Sequence, residues 1–118
     1  MLTVEALKNF GANTEEGLSR CMNNEAFYLR LVKMAAAETA GYEALGKALE
    51  TRDLKAGFEA AHGLKGMLAN LALTPLTVPA SELTEILRAG KPGREEECAA
   101  LYQELMKQRE TFIALCSE

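Results

Sequence analysis

His62 is the only histidine in this chain of 118 residues, and it stands beside a lysine and two glycines. Lys65 follows it by three residues, and Gly63 and Gly66 flank it closely. An unperturbed imidazole is mostly neutral at pH 7, and neutral imidazole is a competent nucleophile toward phosphorus. A nearby ammonium group would stabilise the negative charge on phosphoryl oxygens. The two residue types therefore suit attack on a phosphoryl group.

The histidine lies in a predicted helix that begins after Asp53, a residue type typical of an N-cap. Apolar residues recur at three- and four-residue intervals, at Leu54, Phe58, Ala61, Leu64, Leu68 and Leu71. At about 100° per residue they form one stripe, and His62 falls outside it on the solvent flank. The same flank holds Lys55, Glu59, Gly66 and Ala69. Lys65 lies between His62 and the core, where its ammonium can reach the imidazole.

Three glycines, Gly57, Gly63 and Gly66, fall inside this predicted helix. Each costs about 1 kcal/mol relative to alanine, so each needs a reason. Gly66 lies one turn after His62 and would leave that side of the histidine uncovered. Two explanations stay open: clearance for a large partner that approaches the imidazole, and close packing against another helix.

The segment His62-Gly63-Leu64-Lys65-Gly66, followed by Asn70-Leu71-Ala72-Leu73 and Leu76, resembles the signature of histidine-containing phosphotransfer (Hpt) domains. In that family, alanine-histidine, any residue and leucine-lysine-glycine precede a leucine-glycine pair. Here the pair is Leu71-Ala72, and the aspartate that usually opens the helix is Asp53. The order of segments resembles the family along nearly the whole chain.

The resemblance implies a phosphorelay protein of two-component signal transduction. His62 would accept a phosphoryl group from the aspartyl phosphate of a receiver domain, on a response regulator or hybrid kinase, and pass it to another receiver. Lys65 would stabilise the phosphoryl group, and Mg²⁺ would be held by the partner. Gly63, Gly66 and Ala69 would keep the docking surface low.

The sequence lacks a Gly-rich phosphate loop and an aspartate cluster for magnesium. We therefore expect no ATP binding, no self-phosphorylation and no intrinsic cofactor. Glu59, one turn before His62, could accept a hydrogen bond from the second ring nitrogen, and Lys55 with Lys65 could form a local basic spot. A non-catalytic helical module that docks receivers or other signalling proteins is the alternative function. The phosphoacceptor piece of a histidine kinase is less favoured, because it would need an ATP-binding domain.

Length and composition predict one domain over residues 1–118. A net charge of −4 and a pI near 5.1 argue against nucleic-acid binding. Cys21, Cys98 and Cys116 have no metal-ligand spacing, so with one histidine we expect no metal site. Their odd number favours a reduced cytoplasmic compartment, and no signal peptide or membrane span is evident.

The periodicities predict an all-α chain, with short capping helices in residues 1–22 and an antiparallel up-and-down four-helix bundle over 23–117. Thr3 and Asn13 would cap the short helices. The bundle helices would cover Asn23 or Asn24 to Glu38 with a continuation over Tyr42–Glu50, Asp53 to Ala72 or Leu73, Pro75 to Ala89, and Arg94 to Cys116. A complete bundle in one chain favours a monomer.

Two details of the bundle carry specific expectations. In the helix that starts at Asn23 or Asn24, Phe27, Leu31, Met34 and Ala35 should line one apolar face, which Leu29, Val32 and Ala36 widen. Pro79 lacks an amide proton, so the following helix should either kink there or start late, with Thr77 as its cap.

Overall fold

The computed structural model describes residues 1–117, which form seven α-helices and no β-strand. The helices are α1 (Val4–Phe10), α2 (Thr14–Arg20), α3 (Glu25–Ala37), α4 (Ala40–Thr51), α5 (Leu54–Asn70), α6 (Thr74–Arg88) and α7 (Glu95–Ser117). Helix α5 packs against both α4 and α6, and α6 packs against α7. The prediction of an all-α chain is confirmed, whereas the antiparallel up-and-down direction of the bundle stays a prediction. None of the described helices combines the length and apolar character of a membrane span.

Side-chain caps begin four of the helices. The side-chain oxygens of Thr3, Asn13, Asn24 and Asp53 each accept a hydrogen bond from the backbone N–H three residues later, at 3.0 to 3.2 Å. These bonds satisfy amide groups that lack a partner in the first helical turn. The predicted starts of α1, α2, α3 and α5 are therefore confirmed.

Helix α6 begins at Thr74, so the late start at Thr77 is wrong. Pro75 lies in the first turn, where a missing amide proton costs nothing, and Pro79 lies inside the helix. The hydroxyl of Thr77 donates instead to the carbonyl of Leu73, at 2.9 Å. Pro79 is itself buried, and the burial of its ring offsets part of the lost backbone bond. The alternative of a kink at Pro79 stays a prediction.

The buried face of α3 differs from the expected one. Its buried residues are Tyr28, Val32 and Ala35, whereas Phe27 is 36% exposed and Met34 is 63% exposed. Tyr28 sets this rotation, because its ring covers Gly17 so closely that an added Cβ there would lie 2.6 Å from the ring. A contact with α2 thus decides which face of α3 turns inward.

The C-terminal end of α5 is held by donors from the first 28 residues. The guanidinium of Arg20 donates to the carbonyl of Ala69 at 3.0 Å. The hydroxyl of Tyr28 donates to the carbonyl of Leu71 at 2.9 Å, and the Asn13 N–H donates to the carbonyl of Ala72 at 2.9 Å. The Ala69 carbonyl also accepts from the Ala72 N–H at 3.0 Å, whereas the carbonyls of Leu71 and Ala72 lie past the helix end, where the helical ladder supplies no donor. The N-terminal segment therefore caps the helix that carries His62.

Helix α5 ends at Asn70, slightly before the predicted Ala72 or Leu73, because the chain turns at Ala72. Ala72 has φ of 56°, in the left-handed region that favours glycine. An alanine in that conformation costs roughly 1–2 kcal/mol, offset in part by the burial of its methyl group. The turn that a glycine would form most easily is thus formed here by alanine.

Two buried tyrosines allow a matched test of this packing. Tyr28→Phe should lower the free energy of unfolding by about 1 kcal/mol, because the buried Leu71 carbonyl loses its donor. Tyr42→Phe is the control, since the buried Tyr42 hydroxyl has no hydrogen-bond partner among the described residues. Burial raises the pKa of Tyr42 to about 12, so its hydroxyl stays neutral at pH 7. Urea unfolding followed by circular dichroism measures both variants, and equal losses would contradict the assignment.

Candidate functional site

His62 lies at the middle of α5 with its side chain exposed. Its neighbour Ala61 is fully buried, as are Leu64 and Leu68 within a few per cent. These apolar residues face the core between α4 and α6, so the helix must turn His62 outward. The prediction that His62 lies outside the apolar stripe is confirmed.

The imidazole of His62 stacks on the ring of Phe58, one turn earlier. The ring centroids are 5.5 Å apart and the ring planes differ by 14°. A helical side chain leans toward the N-terminus, so a residue covers the position four before its own. Phe58, which the sequence assigned to the core stripe, is half-buried at the edge of that stripe.

Arg88 of α6 contacts the same aromatic ring. Its guanidinium carbon lies 5.0 Å from the Phe58 centroid, within the range of a cation–π interaction. Glu85, one turn earlier on α6, forms an ion pair with Arg88 at 3.4 Å. His62, Phe58 and Arg88 therefore form one connected cluster across α5 and α6.

The other predicted site residues surround His62 on the same helix. Lys55, Glu59, Gly63 and Gly66 are exposed, and Lys65 and Ala69 are half-buried. The hydrogen bonds of residues 1–117 include none between Glu59 and His62, whose ring contacts Phe58 instead. Those residues also contain no group of three or more His, Cys, Asp or Glu side chains arranged to hold a metal ion.

The glycines of α5 occupy two different environments. A Cβ added at Gly57 would lie 3.3 Å from Leu87 Cδ1, so this glycine permits close approach of α5 and α6. A Cβ added at Gly63 or Gly66 would have no neighbouring atom of residues 1–117 within 4 Å. Close helix packing therefore explains Gly57 and does not explain Gly63 or Gly66. A side chain at position 66 would lean back over His62, which the glycine leaves clear.

The surface around His62 is exposed, with His62, Gly63 and Gly66 all accessible to solvent. A cavity of about 380 Å³ lies at another part of the bundle, lined in part by Leu49, Leu54, Ile86 and Tyr102. His62 does not line that cavity. A nucleophile on an open helix surface is accessible to a macromolecular partner, whereas small-molecule substrates are usually enclosed in clefts.

The comparisons with known proteins gave one family. The family model for the Hpt domain matches residues 30–112, more than two thirds of the chain. The chain belongs to the Hpt domain family. Members of this family take part in histidine phosphotransfer within phosphorelays, and in general they interact with the receiver domains of response regulators. No curated protein and no solved structure gave a significant match.

The Hpt match covers His62, Phe58 and Arg88, but the sequence identified only the first as a site residue. Phe58 could have been found, because a residue four before an exposed histidine lies directly beneath it on a helix. Arg88 carried no such signal, since only the packing of α6 on α5 brings it to the ring.

The open space at Gly66 predicts a gain in stability on substitution. Gly66→Ala should raise the free energy of unfolding by about 0.5–1 kcal/mol, because alanine favours the helix and its methyl group meets no neighbour. Gly57→Ala is the matched control and should gain less, because its methyl group would press on Leu87. Urea unfolding of both variants measures the difference. A Gly66→Ala variant less stable than the parent would contradict the open geometry.

Proposed function

We propose that this Hpt protein carries a phosphoryl group on His62 between receiver domains of a two-component phosphorelay. The observation that supports this most directly is the exposed imidazole on a helix surface that Gly63 and Gly66 leave clear. Family membership supplies the reaction class, because Hpt domains in general act in histidine phosphotransfer. The partners, and the direction of transfer between them, are part of the proposal.

The proposed step needs only one nucleophilic nitrogen from this chain. A neutral imidazole nitrogen of His62 attacks the phosphorus of a receiver aspartyl phosphate. The new P–N bond forms as the P–O bond breaks, and the aspartate carboxylate leaves with the electron pair. The reverse step, on a second receiver, returns the imidazole to its starting state. Such transfer depends on in-line positioning and charge stabilisation, and the Mg²⁺ that assists it would be held by the receiver.

Lys65 is the proposed source of positive charge from this chain. It is half-buried one turn after His62 and takes part in none of the ion pairs found within residues 1–117. Its apolar stem can lie along the core edge while the ammonium reaches the phosphoryl oxygens. An uncommitted ammonium at this position is available to phosphohistidine.

The docking surface for the receiver is proposed to lie on the exposed flank of α5. Its members from this helix are Lys55, Glu59, Gly63, Gly66 and Ala69. Small residues on the His62 flank let a partner surface approach the imidazole without displacing side chains. Exposed charges at its N-terminal end can contribute to the choice of partner.

We also propose the broader organisation that accompanies this function. The chain would be one domain over residues 1–118, with α3 and α4 together forming one pillar of an antiparallel four-helix bundle. It would act as a monomer in the cytoplasm, without a cofactor of its own and without binding nucleic acid. Three free cysteines fit a reducing compartment, and the acidic net charge of −4 disfavours nucleic acid.

The decisive variant is His62→Gln. The parent protein is mixed with a purified receiver domain phosphorylated on its aspartate, with Mg²⁺, and transfer is followed by intact mass. The parent should gain one phosphoryl group that is acid-labile and base-stable, and His62→Gln should gain none while its stability changes by less than about 0.5 kcal/mol. Labelling retained in the variant would refute the assignment. Binding of receivers without transfer to the parent would favour the non-catalytic docking module.

Lys65→Ala tests the supporting charge. Transfer to this variant should slow by roughly ten-fold or more, because the phosphoryl oxygens lose a stabilising cation. Lys107→Ala, which removes an exposed lysine on α7, is the matched control and should transfer at the parent rate. Stopped reactions analysed by intact mass give both rates. Equal rates for the two variants would remove Lys65 from the site.

A further inference from the structure

We infer that Phe58 is a positioning residue for phosphoryl transfer at His62, and that Arg88 holds Phe58 in place for that role. The inference rests on the proposed function and adds two residues to its site. It is carried by the contact of both side chains with one aromatic ring: the imidazole of His62 at 5.5 Å and the guanidinium of Arg88 at 5.0 Å.

An exposed histidine on a helix would otherwise sample several side-chain rotamers. Here the imidazole lies nearly parallel to the Phe58 ring, with 14° between the planes and a centroid distance typical of offset stacking. Stacking covers a face of the imidazole and leaves its edge uncovered. Because both ring nitrogens lie on that edge, the contact restricts the plane of the ring without occupying either nucleophile.

The direction of the nitrogen lone pair matters for this reaction. The lone pair lies in the imidazole plane, and in-line displacement requires it to point at phosphorus opposite the leaving oxygen. An imidazole that rotates freely about its side-chain torsions spends part of its time in orientations in which the lone pair does not point at phosphorus. Phe58 therefore acts through His62, by raising the fraction of time in which the ring has one defined plane.

Arg88 supplies the second contact that Phe58 needs. Phe58 is half-buried, so core packing alone covers only part of its ring. The Arg88 guanidinium lies over the ring, and the same side chain forms an exposed ion pair with Glu85 of α6 at 3.4 Å. Both helices thereby contribute to the orientation of one exposed imidazole.

Two other roles for Phe58 make different predictions. As a core residue alone, it would affect stability and leave the histidine ring unchanged. As a contact for the receiver alone, it would affect transfer from a receiver and leave transfer from a small donor unchanged. Phosphoramidate is such a donor: the imidazole attacks its phosphorus, the new P–N bond forms as the P–N bond to the protonated amine breaks, and ammonia leaves with that electron pair. It needs no docking surface.

The test compares Phe58→Leu, Phe58→Tyr and Arg88→Met with the parent. Phe10→Leu is the matched control, because Phe10 is also half-buried and stacks on another aromatic ring, Phe112, at 5.9 Å. Rates are measured with phosphoramidate and with a phosphorylated receiver domain. Proton NMR of the imidazole gives the second readout, and the signals are unambiguous because His62 is the only histidine.

Phe58→Leu should slow labelling by both donors by roughly ten-fold, a loss of the size that misorientation produces. It should also shift the His62 ring protons, which lose the ring current of Phe58. Phe58→Tyr keeps the aromatic face and should restore both readouts, Arg88→Met should give a smaller loss, and Phe10→Leu should match the parent.

Unchanged rates and unchanged imidazole shifts in Phe58→Leu would overturn the inference. A loss confined to the receiver donor would also overturn it, because Phe58 would then be a docking contact. A parent protein that accepts phosphoryl groups from neither donor would overturn the proposed function and this inference with it. A labelled parent with an equally labelled Phe58→Leu variant would overturn the inference alone.

Discussion

Burial of one stripe of α5 is the constraint on which the rest of the structure depends. Ala61, Leu64 and Leu68 fill the space between α4 and α6, and this burial sets the rotation of α5 about its axis. A helix turns by about 100° per residue, so His62 lies about 130° around the helix from the centre of the stripe that Ala61, Leu64 and Leu68 form. The histidine is therefore held outward by the hydrophobic effect acting on its neighbours, and its own side chain forms no hydrogen bond within residues 1–117.

The first 28 residues add a second constraint at the end of the same helix. Asn13, Arg20 and Tyr28 donate to the carbonyls of Ala72, Ala69 and Leu71, which lie in the last turn of α5 and the turn that follows it. Asn13, Arg20 and Tyr28 lie before residue 30, where the Hpt match begins. The N-terminal helices α1 and α2 thus support the end of α5, although the Hpt match begins after them. A turn that uses Ala72 in place of glycine depends more strongly on such support.

Features of the fold that depend on neighbours in the sequence could be predicted, whereas features that depend on contacts between helices could not. Caps at Thr3, Asn13, Asn24 and Asp53 bond to an amide only three residues away, so the residue type nearly decides the helix start. The inward face of α3 depends instead on Tyr28 meeting Gly17 of another helix, and the predicted face was right at Val32 and Ala35 and wrong at Phe27 and Met34. Pro79 likewise lies inside a helix whose buried side chains compensate for its missing amide proton.

The same division applies to the candidate site. His62, Lys65 and the glycines could be selected from the spacing along one helix, because i+3 and i+4 neighbours share a surface. Arg88 could not, since its contact with Phe58 exists only after α6 packs on α5. The roles of Gly57 and Gly66 could not be told apart from the sequence either, because both are glycines inside the same predicted helix. In the structure, an added Cβ would contact Leu87 at Gly57 and no neighbour within residues 1–117 at Gly66, so the first glycine serves helix packing and the second is exposed.

His62 consequently has an aromatic contact on one side along the helix axis and open space on the other. Toward the N-terminus, the ring rests on Phe58, which Arg88 covers in turn. Toward the C-terminus, Gly66 leaves the space empty at a cost of about 1 kcal/mol of helix stability. A side chain there would lean back over the imidazole, as His62 leans over Phe58. An aromatic residue four before the histidine and a glycine four after it therefore have complementary effects: the first restrains the imidazole, and the second keeps its approach open.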